Sequence, residues 1–195
     1  MQTRELPCVL MRAGTSRGPF FLKDWLPADE AERDKVLVGA VGSSDLLALD
    51  GIGGSSTLTN KVAIVSRSSQ PDCDVDYLFA QVGVAERTVD TRPNCGNMLS
   101  GVGPFAIEQG LVPAQEGETL VRVYNVNTRS RIDVTVLTPG GRVVYEGDTG
   151  IDGVATCRLE DQHGDGSQHD HATSVSIGSE AMSSSTVPLV NEYRR

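Results

Sequence analysis

Residues 93–110 read PNCGNMLSGVGPFAIEQG. The apolar and small residues from Asn97 onward predict a helix over 97–110 closed by Gly110, with Pro104 either kinking it or marking a late start. So many small residues predict close packing against neighbouring elements. Cys95 lies between two asparagines at the mouth of this helix, where the positive end of a helix dipole favours the thiolate form of a cysteine. The backbone N–H groups of Gly96, Asn97 and Met98 then face outward, ready for an anion such as a carboxylate, and glycine at 96 lets a ligand approach the backbone. A small buried cysteine in a tight turn satisfies the same residues, so both readings stand at this point.

Working outward, the chain up to about residue 155 reads as one α/β domain. PCVLMRAG (7–14) predicts a strand. PADEAERDKVLVGAVG (27–42) predicts a helix with Asp29 at its start and acidic residues in its first turn. NKVAIVSRS (60–68) and DVDYLFAQVGV (74–84) predict strands from their β-branched content and alternation. TLVRVYNVN (119–127), SRIDVTVL (130–137), a TPGG turn and RVVYEGD (142–148) predict a β-meander. Residues 156–195 differ: the stretch from Cys157 holds all three histidines and seven serines with almost no apolar period. A segment so composed cannot bury enough surface to offset its ordering entropy, so a polar, disordered tail is expected. His163, His169 and His171 alternate there with acidic residues in a spacing that fits no familiar metal site.

Charge and cysteine usage narrow the function classes. With 17 basic and 26 acidic residues the net charge is −9, which argues against a nucleic-acid surface and against anionic membranes as partners. Four widely spaced cysteines without a CxxC pair suggest reduced thiols and a cytoplasmic setting rather than a disulfide framework. Neither a secretory signal nor a membrane-length apolar run is read in the sequence.

Three segments carry candidate chemistry. Cys95 is the first. Lys61 is the second: it follows the Gly/Ser/Thr-rich loop DGIGGSSTLTN and opens a strand, so it is placed to point into a cleft and, if desolvated, to accept a proton. A solvated lysine at a strand edge is the plainer alternative. The third is MRAGTSRG (11–18), a strand running into a turn in which Thr15 and Ser16 offer hydroxyls and Arg12 or Arg17 offers a carboxylate partner; an ordinary loop would look the same. The first 162 residues lack histidine, which removes a Cys–His dyad from the folded part. GxSxG, Walker and GxGxxG signatures are also absent. A cysteine, a lysine and anion-binding backbone suit the movement of a proton next to a carboxylate.

MRAGTSRGPFF, DGIGGSSTLTNKVAIV and NCGNMLSGVGPFAIEQGLV, in that order, resemble the PrpF-type isomerases, which include methylaconitate cis–trans isomerases and 4-oxalomesaconate tautomerases. The resemblance covers roughly residues 5–155. It implies the α/β (α+β) fold of the diaminopimelate epimerases, in which each of two similar halves wraps a curved mixed sheet around a central helix. It implies a 1,3-proton shift on an unsaturated tricarboxylic acid, with no metal and no pyridoxal phosphate. It further implies Lys61 as base, Cys95 as acid or positioning group, and Ser16, Asn60, Gly96 and Asn97 as carboxylate-holding residues. Beyond GIDGV nothing matches the family's second half, so a truncated form is expected, its inner face exposed and open to self-association or to a partner half-domain. A cysteine-dependent racemase of the same fold would need a second facing cysteine, for which Cys157 is poorly placed.

Overall fold

A computed structural model describes residues 5–145, together with the backbone of two short strands at 174–175 and 187–188. The polar segment expected from 156 onward, its histidines and Cys157 otherwise lie outside the described residues. Strands β1 (Val9–Ala13) and β2 (Ser16–Leu22) lead into helix α1 (Glu30–Val41). Strands β3 (Lys61–Arg67), β4 (Val75–Val82) and β5 (Val89–Asp90) follow, then helices α2 (Gly96–Ser100) and α3 (Val102–Glu108), and strands β6 (Gly117–Asn125) and β7 (Ser130–Thr138). The pair β8 (Ser174–Val175) and β9 (Val187–Pro188) is antiparallel.

The main sheet runs β1-β2-β3-β4-β6-β7, with β5 also on β4. It is mixed: β2–β3 and β4–β6 are parallel and the other pairs antiparallel. Side chains alternate across it as the strand pleat requires. Ala63, Val65, Val75, Tyr77 and Phe79 point to one face, where α2 and α3 supply Met98, Leu99, Val102 and Phe105. Val62, Ile64, Ala80 and Val82 point to the other, against Leu37 and Val41 of α1. Curling around α2–α3 encloses the larger core, in which Phe105 meets Phe20 at 5.6 Å and Trp25 edge-on at 6.3 Å.

The α1 helix starts where Asp29 caps it, its carboxylate accepting the Glu32 N–H at 3.0 Å, and stops at Gly42 with φ +79°. The helix expected over 97–110 is two short ones. Gly101 separates them, and a Cβ there would lie 2.6 Å from the Phe20 ring, while one at Gly103 would lie 2.7 Å from Val136. The small residues therefore set how deeply the helix beds into the sheet. Pro104 falls in the first turn of α3, where a missing N–H costs little.

MRAGTSRG is a strand running into a turn, as expected, but the turn is confined to Gly14 and Thr15, and Ser16 already opens a further strand, β2, paired with Ala13. Pro19 is tolerated in this interior strand because the β3 ladder begins only at Phe20. One expectation needs correction: 142–145 is not a third meander strand. Pro139–Gly141 forms a 3₁₀ turn, with Gly140 at φ +64°; beyond it Val144 N–H still donates to Leu137 O at 3.2 Å, but 142–145 takes no strand conformation, and 146–148 lie outside the described residues. Strand β5 was not expected at all.

Candidate active site

The three chemistry-bearing segments meet at the start of β2. Ser16, Gly18 and Phe20 alternate onto the central-helix face, as do Lys61 on β3 and Gln81 on β4. A Cβ on Gly18 would overlap the Lys61 carbonyl on one side and lie 3.3 Å from the Met98 terminal methyl on the other. Gly18 is therefore the seam between the lysine strand and the cysteine helix. Across the same seam Asn97 Nδ2 donates to Thr15 Oγ1 at 2.6 Å.

Lys61 is half-buried at the first position of β3. Its Nζ donates to Gln81 Oε1 at 3.3 Å and stands 5.1 Å from the Phe79 ring centroid. Cys95 is the N-cap of α2 with extended backbone and no capping bond from its side chain. It is 8% exposed, and its carbonyl accepts both the Leu99 N–H at 3.1 Å and the Tyr77 hydroxyl at 3.2 Å. Burial pushes the Tyr77 phenol well above its usual range, with the adjacent Cys95 adding to the effect.

Gly96 is exposed, and a Cβ there would meet nothing within 4 Å. Its surroundings in the folded chain do not demand glycine, and the space beyond it is open. Ser16 is 1% exposed and its Oγ has no hydrogen-bond partner among the described residues. A buried hydroxyl without a partner costs on the order of 1–3 kcal/mol.

Asn60 differs from the rest of the predicted set. It is 1% exposed, its Oδ1 accepts the Gly54 N–H at 2.9 Å and its Nδ2 donates to the Gly83 carbonyl at 3.2 Å. Its amide thus ties the glycine loop to the end of β4. Arg17 braces the same loop, donating to the Ile52 and Gly53 carbonyls at 3.4 and 3.2 Å. Arg12 Nε donates to Gly14 O at 3.2 Å, within its own turn.

Sequence reasoning missed the residues that hold the NCGN turn from below. Asn125 Nδ2 donates to Asn94 Oδ1 at 2.8 Å. Asn127 Oδ1 accepts the Phe79 N–H at 2.8 Å, while its Nδ2 donates to Phe79 O at 2.9 Å and Thr91 O at 2.7 Å. YNVN reads as a strand end, and only the asparagine pair hinted at side chains that replace backbone partners. Gln81 was also missed, hidden in the alternation of β4.

Among the described residues no helix is long and apolar enough to cross a membrane, and Cys8, Cys73 and Cys95 are free thiols. The larger exposed hydrophobic side chains there are Leu46, Leu47, Leu49 and Leu58 on the loop after α1, with Leu120 and Val126 elsewhere.

A mixed sheet curled around a central helix, with a lysine, a cysteine turn and an unpartnered hydroxyl at one seam, defines a diaminopimelate-epimerase-like half-domain. The family model described as PrpF protein matches residues 3–162, and the chain belongs to that family. It is 55% identical over 153 residues to a 4-oxalomesaconate tautomerase of Pseudomonas putida, covering 78% of this chain and 42% of that protein. It is 47% identical over 149 residues to a 3-methylitaconate isomerase of Eubacterium barkeri, covering 76% and 39% respectively. The crystal structure of a methylitaconate-delta-isomerase superposes with a TM-score of 0.74 at 47% identity, covering 76% of this chain and 38% of that one. The chain thus spans about two fifths of the length of these relatives.

Proposed function

We propose that this half-domain carries the proton-transfer side of an isomerase acting on a small unsaturated carboxylate, a 4-oxalomesaconate- or 2-methylaconitate-like tricarboxylic acid. The observation that carries this reading is the unpartnered Ser16 hydroxyl, buried at the seam where the Lys61 strand meets the Cys95 turn. Ser16 donates to one substrate carboxylate. Asn97 and the N–H groups at Gly96 receive another, at the end of α2 where backbone donors precede the first intrahelical acceptor. Asn60 holds the glycine loop against the site.

The chemistry is a 1,3-proton shift without a cofactor. Lys61 Nζ takes a proton from the carbon next to the double bond; the C–H pair moves into the conjugated system and a dienolate forms. Backbone N–H groups stabilise that charge. A proton returns to the far carbon, from the Lys61 ammonium or from the Cys95 thiol, which then recovers it from the Lys61 ammonium, and the double bond has moved by one position with no net change in atoms. Names of relatives at 47–55% identity support the substrate class. Ultraviolet absorbance of oxalomesaconate or methylaconitate, with wild type and Lys61→Ala, tests it. A substrate-dependent change lost in the variant is expected, and equal rates remove Lys61 from the mechanism.

A second reading has its own observation. Leu46, Leu47, Leu49 and Leu58 are 58%, 62%, 76% and 47% exposed, yet their loop is fastened to the body by Ile52 N–H to Ala40 O and Gly53 N–H to Val41 O at 2.9 and 3.0 Å. An ordered loop that displays leucines suits association. On this reading the chain binds carboxylates or a partner without catalysis. Sedimentation tests it: a compact monomer at all concentrations argues against it.

A further inference from the structure

We propose that Gln81 is a positioning residue for Lys61, fixing the direction of its Nζ through a neutral acceptor. This rests on the reading of Lys61 as the base. Lys61 and Gln81 face each other across the antiparallel β3–β4 pair, on the face that holds the central helix. The orientation of the Gln81 amide is determined by its surroundings. Its Nε2 lies 2.9 Å from Asn60 O, 3.2 Å from Val82 O and 3.3 Å from Thr57 O. All three are carbonyl oxygens, which only accept, so the nitrogen must face them. The Oε1 atom is then left toward Lys61 Nζ at 3.3 Å.

That mount is stiff. Two of the three carbonyls, Thr57 and Asn60, belong to the segment that delivers Lys61, so the lysine's own approach loop sets the amide that aims it. Phe79, two residues before Gln81 on the same strand face, places its ring 5.1 Å from Nζ. Gly18 allows the β2 backbone to lie directly against the Lys61 carbonyl. The lysine is therefore held at its backbone by β2 and at its tip by β4.

The neutrality of the acceptor is the functional point. A carboxylate at position 81 would orient Nζ equally well but would favour the ammonium, which cannot take a proton. An opposite charge at this range moves a titration by roughly 1–3 pH units. A neutral amide directs Nζ without adding an opposite charge beside it.

Lys61 is one of three lysines in the chain, so its reactivity can be followed singly. The full chain and its Gln81→Glu variant are treated with trinitrobenzenesulfonate between pH 6 and 10, and modification of each lysine-containing peptide is measured by mass spectrometry. Lys35, whose side chain is 71% exposed, is the reference. In Gln81→Glu the pH profile of Lys61 moves upward by about one unit, so its rate at pH 8 relative to Lys35 falls roughly tenfold. An unchanged ratio overturns the proposal. Should Gln81→Glu fail to fold by circular dichroism, Gln81→Met decides: without its acceptor Nζ is released and Lys61 labels several-fold faster, and an unchanged rate again overturns the proposal. Labelling reads the lysine whether or not the chain turns over substrate. Isomerisation unaffected by Lys61→Ala would sink the proposed function alone; Lys61-dependent isomerisation with unchanged labelling would sink the role of Gln81 alone.

Discussion

Replacing Ser16 by alanine separates a ligand-directed hydroxyl from a structural one. Ser16 is 1% exposed and its Oγ is unpartnered among the described residues. In water the unfolded chain solvates that hydroxyl, so folding loses its hydration without recompense, at a cost of about 1–3 kcal/mol. Ser16→Ala removes the group that bears this cost and leaves a void of one oxygen atom, which gives back part of the gain. The expected outcome is a protein as stable as wild type or up to about 2 kcal/mol more stable. For a chain of this size each kcal/mol corresponds to roughly 2–4 °C in Tm. Carboxylate binding moves the other way. A hydrogen bond to a charged group contributes about 1.5–3 kcal/mol, so Kd for a tricarboxylate rises about tenfold to over a hundredfold. Ser43 is the control: it is fully buried and its Oγ donates to the Glu86 carbonyl at 2.9 Å. Ser43→Ala should therefore cost stability, about 1 kcal/mol or more. Differential scanning calorimetry and isothermal titration with a tricarboxylate read both quantities. A Ser16→Ala variant that melts more than about 3 °C below wild type refutes the reasoning, because the hydroxyl would then have a partner in the chain.

Two glycines at the site should respond oppositely to alanine. Gly18→Ala places a methyl on the Lys61 carbonyl and should lower the urea midpoint by the equivalent of about 3 kcal/mol or more, as β2 is pushed from β3. Gly96→Ala meets open space, so stability should change by less than about 0.5 kcal/mol while carboxylate binding, read by titration calorimetry, weakens. Asn127→Ala leaves the Phe79 N–H and two carbonyls without their partner and should cost about 2–3 kcal/mol in chemical denaturation; a loss under 0.5 would show that water replaces it. The raised Tyr77 phenol favours the neutral form in the fold, so its stabilising contribution is complete below the unfolded value near 10 and is lost as pH rises through the folded one. Tyr77→Phe should flatten the alkaline limb of a stability–pH profile, and an unchanged limb would exclude Tyr77 as its source.

Much of the fold was legible because its strands are strongly β-branched and the α1 start has a carboxylate cap. KVAIVSR and VDYLFAQV emerge as β3 and β4 within a residue or two of where the alternation put them. β2 was not read from the sequence, and it contains Gly18 and Pro19, residue types depleted in strands. The glycine serves close strand approach, and the proline precedes the parallel ladder, facts that exist only once β3 is alongside. The length of the central helix was overestimated because Gly101 interrupts it for the sake of the Phe20 ring, a contact spanning some eighty residues of sequence. Of the candidate site, Lys61, Cys95 and Ser16 were legible as chemistry-bearing types near glycine. Gln81, Asn125 and Asn127 were not, since their work is done by side-chain amides standing in for backbone partners. No local pattern records such a substitution.

The Asn127 amide has a consequence beyond support of the NCGN turn. One edge of β4 is used twice: Val75, Asp76 and Tyr77 pair with β6, while Gln81 and Val82 pair with β5. Phe79 lies in the gap between them, and there the amide takes up its N–H and its carbonyl. An unsealed gap of this kind would present open backbone groups to any extended peptide, the usual starting point for strand addition and aggregation. Asn127 acts as a one-residue strand that splices β6 to β5 and closes that edge of β4 against recruitment by another chain.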